Sequence, residues 1–120
     1  MALGAVGQIH ISVTDLDRSV AFYRDVLELP LLFEVPGQGM AFFAAGDVRL
    51  YLGVPESPRF RTTVLVYFWV DDIESEHARL TDRGVAFDSP PHVVHRDDTA
   101  ELWMSFFRDP DGHELVANWY

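Results

Sequence analysis

The chain has 120 residues, 48% of them hydrophobic, and no cysteine, which excludes disulfides, thiolate metal sites and cysteine nucleophiles together. Nineteen acids face nine bases, all of them arginine, for a formal charge of −10. A field of that sign repels phosphate backbones and disfavours nucleic acid as a partner, while favouring neutral or cationic small ligands.

The N-terminal stretch 1–6 carries no basic segment and no long apolar run, and the longest apolar run, Val64 to Val70, is far short of a membrane span. The expectation is a cytoplasmic protein of one domain, with no membrane partner.

In chain order, an alternating stretch ends at Val13, and Val13-Thr14-Asp15-Leu16-Asp17 recurs 57 residues later as Val70-Asp71-Asp72-Ile73-Glu74. Each copy reads as a strand running into a helix start. Thr14 with Asp17, and Asp71 with Glu74, set an oxygen-bearing cap three residues before an acid at the positive helix end. Leu16, Val20, Tyr23 and Leu27 then share one helical face. The same offset lands on Ile73, His77, Leu80 and Gly84, with Gly84 as the stop and His77 at the edge of the core.

Strands are expected at about 31–35, 39–45 and 47–53, and in the second half at about 85–88, 101–107 and 113–119, the last after the turn Arg108-Asp109-Pro110-Asp111-Gly112. Residues 54–62 read as a linker and 89–100 as a loop. The chain therefore divides into module one (about 7–53), that linker, and module two (about 63–120).

Alternation assigns faces. Ile9, Ile11 and Val13 oppose Gln8, His10 and Ser12, and Val64, Val66, Phe68 and Val70 oppose Leu65, Tyr67 and Trp69. The aliphatic faces pack on the amphipathic helices, which need an apolar partner. The other faces gather His10, Tyr51, Tyr67, Trp69, Glu114 and Val116, aromatic walls with a few polar groups, as a small-molecule site requires. Trp103, on a strand bulky on both sides, is assigned to the same ligand space. His92 and His95 lie three apart beside Asp97 and Asp98; in an extended segment they point to opposite sides, so solvated loop residues are expected rather than a second metal site.

The segment Ile9-His10-Ile11-Ser12-Val13-Thr14-Asp15-Leu16 through Phe22-Tyr23-Arg24-Asp25 to Pro30, and the segment Phe106-Phe107-Arg108-Asp109-Pro110-Asp111-Gly112-His113-Glu114-Leu115, resemble the opening and closing parts of the glyoxalase/bleomycin-resistance/dioxygenase (vicinal oxygen chelate) superfamily. The resemblance implies an α+β fold, two βαβββ modules forming a curved, mostly antiparallel sheet around a cavity, usually in a homodimer. In metal-dependent members each module's first and last strands each supply a ligand, and the cation acts as a Lewis acid.

Those positions carry His10, Tyr51, Tyr67 and Val116 here, so His10 is the one family-type ligand retained. Glu114 lies roughly 6.5–7 Å along the strand from Val116, too far to replace a ligand whose metal–oxygen bond is about 2.0–2.2 Å. The resulting expectation is a metal-independent small-molecule binder with no cofactor. Its ligand set is His10, Tyr51, Tyr67, Trp69, Trp103, Glu114 and Val116, with His10 and Glu114 as a candidate acid/base pair. The alternative is a lactoylglutathione-lyase-like lyase, isomerase or dioxygenase that uses one divalent metal ion in a degenerate site.

Overall fold

The computed structural model describes residues 2–120, which divide into two compact units, the first ending at Thr63 and the second spanning Val64–Tyr120. Each unit is a βαβββ module with its own four-stranded mixed sheet. In module one, β1 (Gln8–Ser12) leads into α1 (Leu16–Ala21), followed by β2 (Leu31–Val35), β3 (Met40–Ala45) and β4 (Val48–Gly53). In module two, β5 (Leu65–Trp69) leads into α2 (Ile73–Asp82), followed by β6 (His92–Arg96), β7 (Glu101–Arg108) and β8 (Glu114–Trp119). The strand orders are β1-β4-β3-β2 and β5-β8-β7-β6. In each sheet the first and last strands run parallel and the other neighbours antiparallel.

Both helices start one residue later than expected. Asp15 and Asp72, not Thr14 and Asp71, are the N-caps: each has extended backbone, and each carboxylate accepts from a backbone N–H, of Arg18 and of Ser75, at 3.1 Å. The preceding residue pair is still tied to the sheet, Val13 N–H donating to Gly53 O and Val70 N–H to Asn118 O, both at 3.0 Å. The strand thus holds on through Val13 and Val70, and the helix can begin only beyond them.

The helix ends differ in an instructive way. Gly84 (φ +89°) closes α2 in a Schellman arrangement, with Gly84 N–H to Thr81 O and Val85 N–H to Leu80 O, each 3.0 Å. Val85 and Leu80, which such a cap sets on the same side, are both buried. In module one the left-handed residue is Glu28 (φ +62°), not Leu27. From cap to left-handed residue there is one residue more than in module two. The surplus is absorbed by a π-helical turn, Phe22–Val26, in which Leu27 N–H donates to Phe22 O at 3.0 Å.

The cores follow strand parity. In module one Ile11, Ala41, Phe43, Leu50 and Leu52 are buried on the face that receives Val20 and Tyr23, the Tyr23 ring lying 5.9 Å from Phe43. In module two α2 packs on β7 and β8, with Ile73, Leu80, Phe107, Leu115 and Ala117 buried. His77 sits half-buried with its ring 4.3 Å from Phe87.

The stretch 85–88 is not a strand. Val85 serves the helix stop, and Phe87 makes a lone bridge to Phe107. The strand falls instead at His92–Arg96, inside the expected loop, where Pro90-Pro91 holds the chain extended. A bulge between Val93 and His95 pairs His92 with Met104 and His95 with Leu102, putting both histidines on one face rather than opposite ones.

A candidate ligand site in module one

β1 and β4 run side by side with Gln8 opposite Arg49, His10 opposite Tyr51 and Ser12 opposite Gly53. Phe42 pairs with Tyr51, and Phe33 with Phe42. One ring from each strand therefore stands in a row across the sheet. Phe33 and Phe42 are 4.6 Å apart, Phe42 and Tyr51 4.9 Å, and Tyr51 and His10 4.7 Å, the first two pairs stacked and the last tilted at 60°. Those spacings match the distance between neighbouring strands, about 4.7–4.9 Å, so the row is a direct product of register.

Arg49 lies over two of the rings, 4.9 Å from the Phe42 centroid and 5.7 Å from Phe33, and donates to Gln8 Oε1 at 2.6 Å. Gly53 makes room for Tyr51: a Cβ there would sit 2.7 Å from a Tyr51 ring carbon. The tyrosine ring thus lies down over the glycine.

Next to this row the linker folds back as a wall. Its only helical piece is a 3₁₀ turn, Pro58–Phe60. Thr62 fastens it to β1: Thr62 N–H donates to Ser12 Oγ (2.7 Å), Ser12 N–H to Thr62 Oγ1 (3.0 Å), and the Thr62 hydroxyl reaches His10 O (3.1 Å). His10 Nε2 lies 3.1 Å from Ser12 Oγ. Between wall and sheet is a cavity of about 520 Å³ touching Gln8, His10, Tyr51, Glu56, Phe60 and Thr62. That volume falls in the range of small-molecule sites, about 300–1,000 Å³.

The remaining candidates lie in module two. Tyr67 and Trp69 share one face of β5, both exposed, and Val116, the partner of Tyr67, is fully buried. Trp69 stacks on Tyr120 at 5.5 Å. Trp103 is not on that face. It pairs with Trp119, in line with Ser105–Ala117 and Phe107–Leu115, on the side that receives α2. The even-numbered set, Met104 and Phe106, takes the Tyr67 side.

The Glu114 carboxylate accepts from Arg108 Nε at 2.8 Å, and the same guanidinium reaches Asp88 at 3.1 Å. These two acids hold the Arg108 pKa above its usual range, the hydrogen bonds contributing most. The Asp-Pro-Asp-Gly-His segment is structural. Asp109 Oδ1 accepts from Asp111 and His113 N–H, each 2.9 Å, and buried His113 accepts from Val64 N–H through Nδ1 at 3.1 Å.

The donors do not suit the family's divalent metal. Val116 offers no donor atom, Tyr51 is sandwiched between Phe42 and His10, and Glu114 is held by Arg108. Among the described residues no group of three or more histidines, cysteines or acids could hold an ion, and this covers the His92–His95 stretch. Reading single strands for face left out Phe33 and Phe42, and did not count Arg49, which alternation sets on the Tyr51 face, among the site residues. Their signal was available: they occupy the alternate positions of the neighbouring strands.

A family model described as the Glyoxalase/Bleomycin resistance protein/Dioxygenase superfamily matches residues 5–116. The chain belongs to that superfamily. Similar proteins include the uncharacterized protein YraH of Bacillus subtilis (strain 168), 29% identical over 91% of this chain and 92% of the relative. The metallothiol transferase FosB of Lysinibacillus sphaericus (strain C3-41) is 27% identical over 96% of this chain and 82% of its own length. Among solved structures, TnmS3, an antibiotic binding protein from Streptomyces sp. CB03234, is 29% identical with a TM-score of 0.76, covering 99% of this chain and 98% of that one. Within the described residues of this superfamily member, no helix is long and apolar enough to cross a membrane.

Proposed function

We propose that this chain binds a small molecule without a metal, in the module-one cavity between the β1–β4 face and the linker wall. The carrying observation is the cavity itself, about 520 Å³, with His10 and Tyr51 on its sheet side and Phe60 and Thr62 on its linker side. Rings give area for a flat apolar ligand, and Gln8, Glu56, Arg59 and Thr62 offer donors and acceptors that fix its orientation. The likeness to TnmS3, described as an antibiotic binding protein, supports this reading. Tyr67 and Trp69 offer a second exposed aromatic surface of the same kind within module two. A homodimer belongs to the same proposal, supported by Leu65, Tyr67 and Trp69 standing exposed along an edge strand.

The alternative, a metal-dependent lyase, isomerase or dioxygenase, retains His10 alone of its expected ligands, though relatives include proteins described as metallothiol transferases.

The test joins elemental analysis to ligand screening. Protein purified without chelator is expected to carry divalent metal near background. Aromatic metabolites are expected to raise the melting temperature; a ligand at one hundred times its Kd stabilises by about 2.7 kcal/mol. Tyr51→Ala is expected to abolish that rise. About one metal per chain, lost in His10→Ala, would establish the alternative instead.

A further inference from the structure

The seam between α2 and its sheet does not close at one end. Below the α2 N-terminus, between the β6–β7 turn and the end of β8, lies a second cavity of about 520 Å³, entirely within module two. Its apolar surface is aromatic: Trp103 and Trp119, register partners with ring centroids 6.4 Å apart and planes at 54°, with Tyr120 beside them. Two indoles inclined to one another form two sides of a box. Its polar surface is acidic, from Asp72, Glu74 and Glu101, and no arginine lines it.

The engagements of these acids define what the box would take. Asp72 Oδ1 is used in capping α2, and Glu101 is paired with Arg96. Glu74 has no partner among the described residues. Too few oxygens are available for a hard metal ion, which needs six or more. What the set supplies is negative field beside two indole faces, the combination that attracts a large, weakly hydrated cation. The floor is stiff: Asp97 Oδ1 accepts from Thr99 N–H, Thr99 Oγ1 and Ala100 N–H at 2.8, 2.8 and 2.9 Å, fixing the turn that forms one edge.

We propose that this box is a separate binding site for an organic ammonium cation, quaternary or tertiary, held by Trp103 and Trp119 and charge-matched by Glu74. It lies on the sheet face opposite Tyr67 and Trp69 and does not rest on the module-one reading.

Choline is the probe, and its neutral isostere 3,3-dimethylbutan-1-ol the control. NMR of the whole chain resolves three indole N–H signals, assigned through Trp→Phe variants. Choline is expected to shift those of Trp103 and Trp119 more than that of Trp69, which touches the box only through its stack on Tyr120, and to bind at least about fivefold more tightly than the isostere. Glu74→Gln, on an exposed helix position, is expected to weaken choline about three- to tenfold without unfolding the protein. Equal affinity for the isostere, no effect of Glu74→Gln, or a shift confined to Trp69 would each overturn the proposal. So would unmoved indole signals at roughly fifty-millimolar choline, a concentration well above the millimolar affinity that a modest cation–π site allows.

Discussion

Replacing Gly53 by alanine tests whether register alone builds the module-one aromatic row. The backbone of Gly53 lies outside the left-handed region, so alanine is conformationally acceptable and should stabilise by about 0.5–1 kcal/mol through the unfolded chain. Against this, the new methyl would lie 2.7 Å from Tyr51 Cε1 and 2.8 Å from Cζ and Oη. The ring must swing away by most of an ångström, because carbon atoms prefer about 3.5–4.0 Å.

Overpacking of this kind costs about 1–3 kcal/mol. The swing also sacrifices the stack on Phe42, worth about 0.5–1.5 kcal/mol. The balance is a loss of about 0.5–4 kcal/mol, centred near about 2 kcal/mol, read as a melting temperature lower by roughly 5–10 °C. Calorimetry of the double-mutant cycle makes the reasoning specific. In a Tyr51→Ala background no ring is left to displace, and Gly53→Ala should become stabilising. If the two substitutions instead add to within about 0.3–0.5 kcal/mol, the clash between them is not the cause and the reasoning fails.

The two helix ends should respond in opposite directions. Gly84→Ala forces a side chain into φ +89° and should cost about 1 kcal/mol, whereas Glu28→Gly relieves φ +62° and should gain about 0.5–1 kcal/mol in chemical denaturation; equal signs would refute the assignment. Asp97, which accepts three hydrogen bonds led by the Thr99 backbone N–H, titrates below the usual 3.8. With the folded value depressed, its contribution is fully present above the unfolded pKa and lost as pH falls through the folded one. Carbon-detected NMR should place its midpoint under 3.8, and a midpoint at or above that value would contradict the turn geometry.

Much of the fold is legible in strand parity and in the 57-residue recurrence, because a half-buried strand must alternate and a repeated cap must seed a repeated helix. The face shared by His10, Tyr51 and Arg49 follows from alternation alone. The caps slipped by one residue because Thr14-Asp15 and Asp71-Asp72 each offer two competent side chains, and a long-range bond from Val13 or Val70 decides between them.

β6 was hidden for a different reason. His92-Val93-Val94-His95-Arg96 is too polar to read as a strand, while apolar Val85 is spent on closing α2. Trp103 went to the wrong side since its strand is bulky on both, and only its pairing with Trp119 settles the direction. The linker's return onto β1 rests on a few hydrogen bonds from Thr62 and has no periodic signature at all.

The widened turn at Phe22–Val26 has a consequence for how the two modules tolerate change. An extra residue threaded into an ordinary helix rotates everything beyond it by about 100°, which would turn an apolar stripe away from its sheet. Quarantined in one loose coil, the addition leaves Val20 and Tyr23 seated and lets the chain reach β2 on time. Excising one residue from that coil should therefore tighten it to regular winding and leave strand pairing untouched, so length can drift here without disturbing the pocket wall two strands away.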